Sequence, residues 1–162
     1  WTHLVLVRDG ETHTLYKNGE LDATANASAG EDAFSVIGAY LPGAVQLEDR
    51  EPFHGTIDDL IIWRRAMPSE EVFHLHEFET LSLNLGLIEF YHLDSDQSNE
   101  FGNENQIVIH GAEPSENRFG EQGMALEFDG LDDYVLITYS EYLDLVQSKR
   151  VQYQITLKNN DK

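Results

Sequence analysis

The chain has 162 residues, enough for one domain with a substantial core, and its 41% hydrophobic content is too high for a disordered protein. Asp and Glu outnumber Lys and Arg by 30 to 10, and the resulting formal charge of -20 argues against nucleic acid and anionic membranes as partners. The absence of cysteine excludes disulfides and thiol chemistry, and no apolar run is long enough to insert into a membrane.

The first 25 residues predict an antiparallel meander of three strands. Residues 1–8 alternate and are rich in Leu and Val, residues 12–17 form the return strand, and residues 20–25 form the third. Asp9-Gly10 and Asn18-Gly19 are tight-turn signals between them. This spacing leaves little room for a helix.

A short strand is predicted at residues 34–38, and it is followed by a long loop from Tyr40 to Pro52. Ligands of sandwich proteins often sit on such rim loops. Tyr40 offers a ring that can stack on a sugar, and Asp49 offers a carboxylate beside it. These two are the predicted ligand-binding residues, and an ordinary surface loop is the alternative.

The longest predicted strand runs from Phe53 to Trp63. Its residues 60–63 are continuously apolar, which predicts that both faces of the strand are covered. Pro68 ends the extended stretch, and Ser69 can cap a short helix that reaches about Phe78. Two glutamates after Ser69 suit the positive end of that helix.

Asp58 and Asp59 are adjacent in this strand, so regular alternation predicts that they point to opposite faces. A strand needs neither acid, which makes the pair a functional hint. A glycoside hydrolase typically needs two carboxylates that face one cleft. The strand offers no second acid on the same face, and the alternation of Glu127 and Asp129 ends at Gly130. We therefore predict that the protein is not an enzyme.

Residues 81–86 are predicted to form a connector to the second half of the chain.

Several of these stretches resemble one family. Residues 55–72 contain Gly-x-Ile-Asp-Asp-Leu-x-Ile-Trp, which is similar to the closing strand of laminin-G-like domains in the concanavalin A-like jelly-roll superfamily. Residues 1–21 resemble the late hairpin of such a domain. Residues 87–94 resemble its opening strand, and residues 107–112 resemble a following strand. Ala-Leu-Glu-Phe-Asp-Gly-Leu-Asp-Asp-Tyr-Val at 125–135 is similar to its most recognisable segment, and the resemblance implies that the next strands lie at 142–145 and 151–157.

The resemblance implies an all-β, antiparallel jelly-roll β-sandwich with one short helix near 69–78, but its halves come in reverse order. Residues 1–80 resemble the family's C-terminal half, and residues 87–162 resemble its N-terminal half. The chain is either a circularly permuted sandwich or a stretch cut from a tandem array. Half a sandwich would expose an apolar face and strand edges, which favours one sandwich built from both halves.

The resemblance also implies a function. It predicts a non-catalytic module, extracellular or on the cell surface, that recognises a glycan or a protein surface and adjoins other domains of a larger chain. The alternatives are a structural spacer or adhesin repeat that contacts only neighbouring domains, and a glycoside hydrolase on the same fold.

Calcium is the predicted cofactor, because carboxylates and carbonyl oxygens are its preferred ligands and related modules hold it through aspartates at a sheet edge. The predicted metal ligands are Asp58, Asp94, Asp129 and Asp132, with Asp133 adjacent. Each lies near a strand end or turn, and Asp-Gly and Asp-Asp also occur simply as turn formers.

Overall fold

The computed structural model describes residues 1–26, 36–39, 52–78, 85–94, 107–137 and 150–160. The described residues form eleven strands and one helix. They are β1 (Thr2–Asp9), β2 (Thr12–Lys17), β3 (Glu20–Asn26), β4 (Val36–Ile37), β5 (His54–Trp63), α1 (Ser69–Phe78), β6 (Leu87–Tyr91), β7 (Ile107–His110), β8 (Glu113–Ser115), β9 (Ala125–Asp129), β10 (Tyr134–Ile137) and β11 (Arg150–Asn159).

The strands form two antiparallel sheets. The large sheet has the order β3-β2-β1-β11-β5-β9-β8, and the small sheet has the order β4-β10-β7. One edge of β5 pairs with β11 along most of its length, while the other edge pairs with β9 near its start and with β6 near its end. The predicted fold class, an antiparallel β-sandwich with one short helix, is confirmed. Strands from both sides of the predicted connector share the large sheet.

Two apolar cores cover the two faces of β5. The inner core lies between the sheets and contains Leu60 and Ile62 of β5 with Val135 and Ile137 of the small sheet. The outer core lies under α1 and includes Ile61 and Trp63, Val5 and Val7 of β1, and Val72 and Leu75 of the helix. The prediction that both faces of the run 60–63 are covered is confirmed.

Helix α1 has the predicted bounds and lies on the outer face of the large sheet. Its first turn begins at Pro68, whose carbonyl accepts hydrogen bonds from the backbone N–H groups of Glu71 and Val72. Arg65 also holds the Glu71 carboxylate at 2.6 Å. Burial of Val72 and Leu75 fixes the helix, with each side chain contributing about 1.5–3 kcal/mol.

Strands over residues 2–26, 54–63, 87–91 and 107–110 agree with the sequence predictions to within a few residues. Strand β8 was missed because Pro114 argues against a strand, although proline is tolerated at a sheet edge, where β8 lies. The predicted strand at 142–145 lies outside the described residues, as do the ligand-binding candidates Tyr40 and Asp49.

Candidate functional site

Strand β5 contains a β-bulge at Asp59. In the pairing with β11, Ile155 lies opposite Leu60 and Thr156 lies opposite Asp58, so Asp59 is the extra residue. Its φ of 56° lies in the left-handed region, which Asp tolerates better than most residues. The bulge places Ile57 and Leu60 in the same inner core, whereas a regular strand would put them on opposite faces.

This bulge overturns the prediction that Asp58 and Asp59 point to opposite faces. Nη1 of Arg118 lies 2.6 Å from Oδ2 of Asp58 and 2.8 Å from Oδ2 of Asp59. Both carboxylates therefore face the same side of the sheet. Contrary to the prediction, β5 carries two acids on one face, because the bulge interrupts the regular alternation of the strand.

Arg118 is positioned by a compact turn in the segment between β8 and β9. The buried Asn117 side chain accepts hydrogen bonds from the backbone N–H groups of Phe119 and Glu121 and donates to the Glu121 carboxylate. The turn aims the Arg118 guanidinium at β5 and lays it over the Phe119 ring, 4.5 Å from the ring centroid. One buried asparagine thus fixes the cation that joins the two acids.

A cavity of about 430 Å³ opens at this ion-pair group, on the outer face of the large sheet. Helix α1 borders it with Leu75 and His76, β6 borders it with Phe90, His92 follows directly after that strand, and the turn after β8 contributes Phe119. Its volume falls within the range of about 300–1,000 Å³ that is usual for small-molecule sites. We call this cavity the sheet-face pocket.

The floor of the sheet-face pocket includes two buried polar side chains, His3 of β1 and Gln154 of β11. Neither ring nitrogen of His3, nor Oε1 of Gln154, has a hydrogen-bond partner within the described residues. The nearby Gln154 side chain acts to raise the pKa of His3, against the larger effect of burial, but the contact does not meet the distance and angle of a hydrogen bond. Buried polar groups are rarely left unpaired, so these atoms indicate a place where a polar ligand or water can bind.

Burial shifts two ionisable groups of the pocket. Burial, reinforced by the neighbouring Asp59 charge, raises the pKa of Asp58 to about 6, although Arg118 opposes this shift. Burial also lowers the pKa of His3 to about 4, and this histidine stacks on His76 with 5.3 Å between the ring centroids. His3 is therefore a neutral imidazole at physiological pH, with one donor and one acceptor nitrogen.

His92 extends the charged wall of the pocket. Its Nδ1 lies 3.2 Å from Oδ1 of Asp59, and its ring packs on Phe90 with 4.4 Å between the centroids. Asp59 thus contacts Arg118 through one oxygen and His92 through the other.

A second acidic group occupies the turn between β9 and β10. Carboxylate oxygens of Asp129, Asp132 and Asp133 lie within 4.8 Å of one another. Asp133 accepts the backbone N–H of Asp129, and Asp129 accepts that of Leu131, both at 2.8 Å. We call this group the acidic turn.

The comparisons with known proteins bear on the first part of the chain. Residues 1–73 match the Laminin_G_3 model, which is described as the concanavalin A-like lectin/glucanases superfamily. Residues 1–73 are laminin-G-like. No curated protein and no solved structure matches the chain.

The laminin-G-like segment supplies six of the seventeen residues that line the sheet-face pocket. His3, Asp58 and Asp59 belong to the segment, whereas Arg118 and Gln154 come from the later part of the chain. Laminin-G-like domains are typically non-catalytic binding modules, which is the coarse function this match supports. Within the described residues, no helix is long and apolar enough to cross a membrane.

The predicted metal residues lie at separate places in the structure. Asp129 and Asp132 meet in the acidic turn together with Asp133, while Asp58 is paired with Arg118. Asp94 is buried and is not one of the three carboxylates of the acidic turn.

Sequence reasoning missed His3, Arg118 and Gln154, which are isolated residues on three different elements. A signal for the bulge was present, because Ile57 and Leu60 both suit a core but are separated by two acids.

Proposed function

We propose that this protein is a non-catalytic, extracellular glycan-binding module and that the glycan occupies the sheet-face pocket. The observation that carries the proposal is the combination of aromatic rings with unpaired buried polar atoms in one cavity of about 430 Å³. Sugars present apolar C–H faces together with hydroxyl groups, and they need both kinds of surface. The match of residues 1–73 to a superfamily that includes lectins supports the same choice.

The test is a glycan array, followed by titration of each hit by isothermal calorimetry. Phe119→Ala removes a ring that is 60% exposed at the pocket, so we expect at least about tenfold weaker binding and little change in thermal stability. Leu131→Ala is the matched control, since Leu131 is 73% exposed in the acidic turn and does not line the pocket. If the array yields no hit, or if both variants bind equally well, the proposal fails and the spacer alternative gains support.

A glycoside hydrolase is the second candidate, because Asp58 and Asp59 share the sheet-face pocket. A retaining hydrolase uses two carboxyl groups about 5–5.5 Å apart, one of which must transfer a proton. Here one guanidinium nitrogen bridges both carboxylates, so neither is free to act on a glycosidic bond while Arg118 stays in place. Release of reducing ends from a bound glycan, lost in Asp59→Asn, would establish the hydrolase instead.

We also propose that calcium stabilises the fold through the acidic turn. Calcium takes oxygen ligands at about 2.3–2.6 Å, so two ligands of one ion lie within roughly 5 Å of each other. The carboxylates of Asp129, Asp132 and Asp133 meet this condition. Their hydrogen bonds within the turn support the turn-former alternative equally well, and thermal unfolding with calcium and with chelator separates the two.

A further inference from the structure

We propose that the sheet-face pocket selects uncharged sugars, and that a sugar hydroxyl is received between His3 and Gln154 at its floor. This inference rests on the proposed glycan-binding function and adds the class of glycan. Three features of the pocket carry it: the hydrogen-bonding character of the floor, the balance of charge on the wall, and the aromatic rings near the opening.

The floor is complementary to a hydroxyl group. The neutral His3 ring presents one N–H donor and one acceptor nitrogen, and Oε1 of Gln154 is an acceptor. A hydroxyl donates one hydrogen bond and accepts others, so it can use both kinds of partner at once. A carboxylate or sulfate only accepts, and it would face the Gln154 oxygen without a hydrogen to offer. An ammonium only donates, and it would leave the imidazole N–H unpaired.

The wall carries more negative than positive charge. Asp58, Asp59 and Glu121 line the pocket, and Arg118 already holds the first two carboxylates within 2.8 Å. The Arg118 guanidinium already pairs with two carboxylates of the protein, so it does not offset the charge of an acidic ligand. An acidic sugar would be repelled by the pocket and by a chain whose formal net charge is -20.

The aromatic side chains suit the apolar face of a pyranose. Phe90 lies on the pocket side of β6, tilted against His92, and Phe119 lies where the pocket meets solvent. The Arg118 guanidinium covers one face of the Phe119 ring, so contacts on that face are already satisfied. The rest of the exposed ring surface can take the C–H groups of a sugar.

The experiment compares each glycan hit with a charged counterpart of the same backbone, by calorimetry at fixed ionic strength. Fully methyl-esterified oligogalacturonates are paired with free oligogalacturonates, and chitin oligomers are paired with chitosan oligomers. We expect at least about tenfold tighter binding of the uncharged member of the first pair, because the wall repels the uronate. In the second pair we also expect tighter binding of the uncharged member, because the cost of leaving the imidazole N–H unpaired outweighs the attraction of the acidic wall for the ammonium. Tighter binding of the uronate or of the protonated amine would overturn the uncharged-sugar inference but leave glycan binding intact. Absence of any glycan binding would overturn both.

The variant Gln154→Leu tests the floor directly, since it keeps the size of the side chain and removes the acceptor oxygen. We expect about tenfold weaker binding of the uncharged glycan, the effect of one lost hydrogen bond. Gln122→Leu is the matched control, because Gln122 is exposed, bonds only Glu116 among the described side chains and does not line the pocket. Thermal unfolding of both variants confirms that they are folded. If folded Gln154→Leu binds the uncharged glycan with unchanged affinity, Gln154 does not take part in recognising the sugar hydroxyl.

Discussion

Asp58 and His3 are buried in the same pocket, and burial drives their pKa values in opposite directions. The raised pKa of Asp58, about 6, means that the folded protein holds a proton between roughly pH 4 and pH 6 that the unfolded chain has released. Asp58 therefore contributes stability at low pH, and this contribution is lost as the pH rises through 6. The lowered pKa of His3, about 4, has the reverse effect, because its contribution is lost as the pH falls through 4.

A variant separates the two effects. Asp58→Asn removes one titration and keeps an oxygen that can accept from Arg118. As the pH rises from 4 to 7.5, the parent protein loses the contribution of Asp58 and the variant does not. Over that rise we expect the free energy of unfolding of the variant to increase relative to that of the parent by about 2–3 kcal/mol. Urea unfolding across that range measures the difference. Asp22→Asn, at an exposed position of β3, is the control for the loss of one acidic charge.

A difference between Asp58→Asn and its parent that stays constant with pH would contradict the raised pKa of Asp58. The His3 contribution is present in both proteins, so it cancels from this comparison.

The acidic turn yields a prediction about metal. If its three carboxylates hold calcium, saturation at 100 times the dissociation constant adds about 2.7 kcal/mol to the free energy of unfolding. Thermal unfolding with calcium and with chelator should then give a clearly higher midpoint in calcium. Asp132→Asn should abolish that rise, whereas Asp58→Asn, at the Arg118 ion pair, should preserve it. An equal midpoint with calcium and chelator would leave these aspartates as turn formers.

At the scale of the element, the bulge in β5 is a one-residue insertion, and we expect the fold to tolerate its deletion. Without Asp59, strict alternation would still send Ile57, Leu60 and Ile62 to the inner core and Ile61 and Trp63 to the outer core. We expect the protein lacking Asp59 to fold with both cores intact and to lose glycan binding. The deletion also removes a residue from the left-handed region.

The control deletes Ile61 instead, which would exchange the faces of Ile62 and Trp63. Both side chains are fully buried, so we expect a loss of more than about 3 kcal/mol. Circular dichroism and urea unfolding compare the two proteins. An equal loss of unfolding free energy in both deletion proteins would contradict this expectation and would mean that the fold needs Asp59 to keep β5 in register.

The same strand marks the limit of prediction from sequence. Turn dipeptides such as Asn18-Gly19 and the apolar run 60–63 identified most strands, because turn chemistry and burial act locally. The site was not predicted, because it depends on one left-handed residue and on Arg118, which reaches β5 from 59 residues away. Neither a bulge nor a distant ion pair produces a periodic pattern in the sequence.

At the scale of the whole molecule, the two halves of the chain depend on each other through β11. This strand lies between β1 and β5, pairing eight residues of β1, and it contributes Val151 to the inner core. Residues 1–80 alone would leave β1 and β5 with open facing edges and the inner core without the small-sheet strands β7 and β10. The division of the chain at residues 81–86 stays a prediction, and this interdependence makes it testable.

We expect the fragments 1–80 and 87–162 to be largely unfolded apart and to form a one-to-one complex when refolded together. The reason is that β6, β9 and β11 all pair with β5, so association restores the centre of the large sheet. Sedimentation and circular dichroism measure the mass and the strand content. Gly55→Val in the first fragment is the control, because the added side chain would meet the Lys158 carbonyl of β11 and prevent pairing. Two fragments that each fold alone would instead identify two independent units, as expected for a stretch cut from a tandem array.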